Sequence, residues 1–215
     1  MPVSNRIHGD EDARELAAVE RLLARQHGVD PACVMLTNGA AEGFALLAGL
    51  SLRAPAVVHP GFSEPETIFR ERGFPVTQLV MDPPFDALPE VGSCDAVVIG
   101  NPTNPTGEVF RPAALRDWAG GRLLIVDEAF LDVVPGGEAV SSIGLIRGGD
   151  ERVIVLRSLT KTWSIAGLRI GYVVAHPRVI ARLRAGRSHW PLGTLQLAAA
   201  RAIGERALAL SLIHI

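Results

Sequence analysis

Lys161 is the residue to start from, within the stretch Arg157-Ser158-Leu159-Thr160-Lys161-Thr162-Trp163-Ser164 that continues to Arg169 and Tyr172. Ser158 and Thr160 precede it, Thr162 and Ser164 follow, and Arg169 stands between Gly167 and Gly171. A lysine amine attacks a carbonyl carbon once it has lost its proton, and apolar walls favour that loss. An arginine offers a planar fork to phosphate oxygens, while hydroxyls and backbone N–H groups complete a cradle. The combination suits an amine acting on a carbonyl beside a bound phosphate. Apolar runs at Val153 to Leu156 and Ile170 to Ala175 predict a buried strand on either side, so this stretch reads as a reactive loop between core strands.

Other residues of this kind lie upstream. Asp127 ends the apolar run Leu123-Leu124-Ile125-Val126, and a carboxylate at the end of a buried strand needs a cation or hydrogen bonds. Its neighbour Glu128 is expected to be structural or on the surface. Asn101-Pro102-Thr103-Asn104-Pro105-Thr106-Gly107 follows the apolar segment Asp95 to Gly100. Its prolines hold the chain extended and fix Asn104 at a strand C-terminus, the edge where open α/β sheets bind ligands. After the strand Val34 to Thr37, the small residues Gly39, Ala40 and Ala41 let backbone N–H groups approach an anion at a helix N-terminus. Phe62, past the strand Pro55 to His59, reads by itself as a core ring.

Ser-x-x-Lys followed by Gly-x-Arg-x-Gly-Tyr resembles the cofactor-lysine signature of the fold-type I pyridoxal-phosphate enzymes, the class I/II aminotransferases. Asn101 to Gly107 resembles that family's Asn-Pro-x-Asn-Pro-Thr-Gly, and the motifs occur in family order. The resemblance implies pyridoxal 5'-phosphate as cofactor, with Lys161 its Schiff-base residue and later the base that moves a proton. It implies that Asp127 faces the pyridine nitrogen, Asn104 the ring oxygen and Phe62 the ring plane. Ser158, Arg169 and the Gly39 to Ala41 turn would hold the phosphate. Phe130 departs from the pattern, because many family members carry a tyrosine there whose hydroxyl reaches the ring oxygen, and phenylalanine has none. Phenylalanine here is reminiscent of the threonine-phosphate decarboxylases of cobalamin synthesis, near relatives of the histidinol-phosphate aminotransferases.

The expected reaction is amino transfer between an amino acid or amino-alcohol phosphate and a 2-oxo acid. Decarboxylation of a threonine phosphate is the alternative, and a cofactor-binding fragment without turnover is a third reading. The resemblance also implies a homodimer. Residues 1–210 are expected to form the cofactor-binding large domain, incomplete at its N-terminus, with 211–215 an unassigned tail. The small domain that carries the family's carboxylate-gripping arginine is expected to be missing.

These residues need elements to hold them. Apolar runs near residues 34, 56, 77, 97, 124, 154 and 171, with helices between most of them, predict an α/β fold: a mainly parallel seven-stranded sheet covered on both faces. Asp10-Glu11-Asp12 suits a helix N-terminus, Leu16, Val19, Leu22 and Leu23 follow at helical spacing, and Gly28 is a stop. A basic helix is expected from Pro177 to Gly186 and an alanine-rich one from Thr194, its cap. His189 and Trp190, between them, read as a packed loop anchor as readily as site residues. The 215 residues are 48% hydrophobic and 20% charged with a net charge of −2, enough for one sizeable core and no field for nucleic acid or an anionic membrane. Cys33 and Cys94 fit no metal or redox spacing and suggest two buried thiols in a reducing compartment. No apolar signal core or membrane-length run appears, so the cytoplasm is the expected location.

Overall fold

The computed structural model describes residues 4–213, and side chains from 12 to 207. Its elements run α1 (Ser4–His27), β1 (Val34–Thr37), α2 (Gly39–Leu47), β2 (Pro55–His59), α3 (Glu64–Glu71), β3 (Thr77–Val80), β4 (Ala96–Gly100) and α4 (Pro112–Ala119). Then follow β5 (Leu123–Asp127), α5 (Ile143–Arg147), β6 (Val153–Ser158), α6 (Leu159–Thr162), β7 (Gly171–Ala175), α7 (Pro177–Ala185) and α8 (Thr194–Ile213). The seven strands form one sheet in the order β1-β7-β6-β5-β4-β2-β3. Every pairing is parallel except the two made by β7, which runs antiparallel to β6 and to β1.

The strands read as unbroken apolar runs because both faces are covered. Side chains alternate across the sheet, so Val153 and Val155 of β6 join one core while Ile154 and Leu156 join the other. The first core takes Val19 and Leu23 of α1, Leu115 of α4, Ile143 of α5 and Leu197 of α8. The second takes Phe44 and Leu47 of α2, Phe69 of α3, and Ile180 and Leu183 of α7. Among the described residues, no helix is long and apolar enough to cross a membrane.

Several sequence expectations shift. α1 begins at Ser4, so Asp10 to Asp12 lie inside it rather than at its N-terminus. Gly9 does not stop the helix, since an interior glycine costs only about 1 kcal/mol against the bonds on either side. Thr194 is the first residue of α8, and the Gly193 N–H is capped by Gln196 Oε1 at 2.9 Å. Cys33 is buried but Cys94 is only half-buried. Residues 214 and 215 of the unassigned tail lie outside the described residues.

Candidate active site

The C-terminal ends of β1, β4, β5 and β6 and the N-terminal end of β7 meet at one edge of the sheet. Gly100 pairs with Asp127, Asp127 with Leu156, Ser158 with Gly171, and Gly171 with Thr37. A cleft opens at this edge, and its lining includes Ala40, Ala41, Phe62, Asn104, Asp127, Ser158, Lys161 and Arg169. Residues from five separate stretches of sequence are thus brought together.

Lys161 is exposed on α6, a single helical turn where the sequence suggested a loop. Thr160 fastens that turn to the start of β7: its hydroxyl donates to the Ile170 carbonyl and accepts from the Ile170 N–H, both at 3.2 Å. The Lys161 ammonium lies 5.3 Å from the centre of the Phe130 ring, close enough for a cation–π contact. Phe130 therefore has a place in the cleft, against the lysine.

Asp127 ends β5 and accepts from the Ala129 N–H at 3.0 Å. Burial pushes its carboxyl up to about 6; the Ala129 N–H opposes this, Glu128 and Glu64 add to it, and Lys161 opposes it. Among the described residues Asp127 has no ion pair. Such a carboxylate suits a ligand that brings a positive charge.

The opposite corner is built for an anion. α2 starts at Gly39, whose φ of +72° suits glycine, and the cleft reaches Ala40 and Ala41 in its first turn. The Arg169 guanidinium lies against Gly39, where a Cβ would sit 3.2 Å from Nη2. Arg169 itself has a φ of +46°. Gln196 of α8 braces that turn, donating to the carbonyls of Leu168 at 2.8 Å and Arg169 at 3.0 Å. Gly171 has no room for a side chain: a Cβ would stand 2.7 Å from the Arg157 carbonyl oxygen and 2.8 Å from the Ala40 nitrogen. Gly171→Ala is therefore expected to cost about 1–3 kcal/mol by overpacking against backbone and to weaken phosphate binding. Urea denaturation with and without inorganic phosphate checks both.

Asn104 lines the cleft from an irregular loop four residues past the end of β4. Asn101, taken only as part of the motif, is fully buried and braces the loop through bonds to the Phe110 N–H at 2.8 Å and carbonyl at 3.0 Å. Thr103 is buried too, accepting from the Glu108 N–H at 3.0 Å and meeting the Thr106 hydroxyl. Phe62 is 46% exposed on the cleft wall, its ring centre 6.4 Å from that of Phe44. A ring this exposed is not core filling.

His189 and Trp190 do not reach this cleft. They line a separate hollow with Asp12, Leu16 and Leu197, and Trp190 is 72% exposed rather than a packed anchor. Sequence reasoning passed over Glu64, which also lines the cleft, and Gln196. It also passed over the fact that Lys161 is the sole lysine of the chain. That count was a signal available from the start.

The donor set fits pyridoxal phosphate: an amine, a raised carboxylate with no ion pair among the described residues, a half-exposed ring, and an anion corner where glycine is required. Fold and site together define the class of fold-type I pyridoxal-phosphate enzymes. The chain belongs to the class I and II aminotransferase family, whose family model matches residues 5–209.

It is 44% identical over 201 residues to a histidinol-phosphate aminotransferase of Mycobacterium tuberculosis, covering 92% of this chain and 52% of that protein. It is 31% identical over 195 residues to one from Citrifermentans bemidjiense, covering 85% and 53%. The chain therefore spans about half the length of the curated relatives it matches. A solved structure assigned as a histidinol-phosphate aminotransferase, from Erwinia carotovora atroseptica, superposes with a TM-score of 0.76 at 26% identity, covering 93% of this chain and 62% of that one. The threonine-phosphate decarboxylase of Porphyromonas gingivalis shares the fold, with a TM-score of 0.78 at 23% identity over 88% of this chain and 61% of that one.

Proposed function

We propose that residues 1–210 form the cofactor-binding domain of a histidinol-phosphate-aminotransferase-like enzyme acting on a small, phosphorylated amino substrate. The observation that carries this reading is one cleft holding the sole lysine and a buried carboxylate that makes no ion pair among the described residues, beside an anion corner. Bound there, pyridoxal phosphate would supply an aldehyde that couples to amines and a ring that accepts a substrate's electrons. Lys161, through its neutral amine, would be the residue that holds the cofactor covalently. The same amine, when free, would be the base that moves a proton from the substrate carbon.

Asp127, ionised, would face the ring nitrogen and keep it protonated. Asn104 would donate to the ring oxygen, without help from a tyrosine, because Phe130 has no hydroxyl. Phe62 would cover the ring face. Arg169, Ser158 and the N–H groups at the start of α2 would grip the phosphate. The relatives' names support a phosphorylated amino alcohol as substrate, and the family resemblance supports a homodimer. Phe130 favours a second reading, decarboxylation of a threonine phosphate, through the same residues.

The purified chain with added pyridoxal phosphate tests the reading. Borohydride reduction is expected to fix one cofactor on the peptide containing Lys161, and Lys161→Ala is expected to abolish that adduct entirely. A wild-type adduct found on the N-terminal amine and not on the Lys161 side chain would overturn the assignment. Titration of the unreduced complex with histidinol phosphate and with phosphothreonine separates the two substrates, since the absorbance band should respond to the true one.

A further inference from the structure

The cleft has a charged network behind it. Along β5 and β6 the pleat turns Asp127 and Ser158 toward the cleft and Glu128 and Arg157 toward the opposite face. Arg157 is 1% exposed, yet its guanidinium meets three carboxylates: Glu128 Oε2 at 2.9 Å, Asp132 Oδ1 at 2.7 Å and Glu138 Oε1 at 2.8 Å. The other oxygen of Asp132, Oδ2, accepts from the Thr162 hydroxyl at 3.0 Å. Thr162 is the last residue of α6 and follows Lys161. Asp132 lies two residues after Phe130, the ring beneath the Lys161 ammonium.

We propose that Asp132, anchored by the buried Arg157, is a positioning residue that holds α6 through Thr162 and so fixes Lys161 over Phe130 for covalent capture of its carbonyl ligand. A four-residue helix has almost no stability of its own, because nucleating a turn fixes several torsions for one hydrogen bond. Outside contacts must set its place. Thr160 holds the turn on the β7 side, and Asp132 holds it on the β5 side. Arg157 turns Asp132 from a flexible surface carboxylate into a fixed post. The proposal rests on the reading of Lys161 as the residue that captures the cofactor.

The test compares Thr162→Val and Thr162→Ser with the unaltered chain. Each is titrated with pyridoxal phosphate, followed by its covalent absorbance band, and with pyridoxamine phosphate, which offers the same ring and phosphate but no aldehyde. Loss of a hydrogen bond to a carboxylate shifts a local equilibrium about tenfold or more. Thr162→Val is therefore expected to weaken covalent capture about tenfold by lowering the fraction of chains with Lys161 in place. Pyridoxamine phosphate should bind as before, and Thr162→Ser should restore capture. Unchanged capture in Thr162→Val overturns the proposal, and so does an equal loss of both ligands.

Acetylation of the sole lysine by acetic anhydride in the ligand-free chain reports its placement independently. The rate should rise in Thr162→Val as the amine leaves the ring, and return in Thr162→Ser; equal rates would also overturn the proposal. A wild-type chain that captures no pyridoxal phosphate would defeat the cofactor reading, while the acetylation rates still decide the positioning.

Discussion

Asp127→Asn is expected to stabilise the ligand-free chain at neutral pH and to cripple the proposed activity. In the folded chain the Asp127 carboxyl is pushed up to about 6 from an ordinary value of 3.8, chiefly by burial. Between those two values the folded state binds more protons than the unfolded state. Stability therefore falls as pH rises through that window, and the full penalty is present above it. The displacement corresponds to a penalty of about 3 kcal/mol at neutral pH. An amide carries no such penalty, so the variant should melt about 6–12 °C higher at pH 7 and little higher at pH 4.

Function should move the other way. An amide cannot hold a proton on the ring nitrogen, and losing a preorganised electrostatic partner typically costs on the order of 10²–10³ in turnover. Adding pyridoxal phosphate should close the stability gap, because a ring cation removes the penalty from wild-type Asp127 and not from asparagine. Melting curves at two pH values, with and without the cofactor, measure all of this. Equal melting temperatures at pH 7 would show that Asp127 stores no strain.

Where the sequence carried local signals, it was legible. Fully apolar runs such as Val34 to Leu36 and Val153 to Leu156 could only be buried strands, and their alternation with helices defined the sheet. That Lys161, Asp127, Asn104 and Arg169 line one cleft was foreshadowed by their places beside such runs: Asp127 ends β5, Lys161 and Asn104 follow β6 and β4 by a few residues, and Arg169 precedes β7. The start of α1 was not legible, since Gly9 and the acidic run after it are compatible with either a cap or a helix interior. Nor was the role of Arg157. It continues an apolar strand, and its partners Glu128, Asp132 and Glu138 lie 19 to 29 residues upstream, joined by no periodicity. The Gln196 brace hides for the same reason, linking α8 to a turn 27 residues earlier. Contacts of that kind come from the fold, and single-sequence patterns do not record them. Glu128, expected as structural or on the surface, proves fully buried because Arg157 makes its charge tolerable.

That dependence sets up the largest expected stability effect, in Arg157→Met. Methionine fills much the same volume but leaves Glu128 with a buried charge and no cation. Burial already raises the Glu128 carboxyl above its ordinary range, against the pull of Arg157 and the bonds from the Ser142 N–H at 2.6 Å and the Ser141 hydroxyl at 2.8 Å. Removing one partner of a buried ion pair costs about 3–5 kcal/mol, mostly the penalty of the stranded charge. Asp132 and Glu138 keep contact with water and contribute less to the loss. If the stranded charge dominates, neutralising it should help, so Arg157→Met with Glu128→Gln should be more stable than the single variants predict by addition.

The pH dependence follows from the same cause. A folded carboxyl raised above its unfolded value makes stability fall with rising pH, so Arg157→Met should lose least in acid and most at neutral pH. Urea midpoints for both single variants and the double variant, at about pH 5 and about pH 8, give the coupling energy directly. A coupling near zero would mean that Arg157 acts by packing alone, and that Glu128 tolerates its burial through Ser141 and Ser142 without a cation.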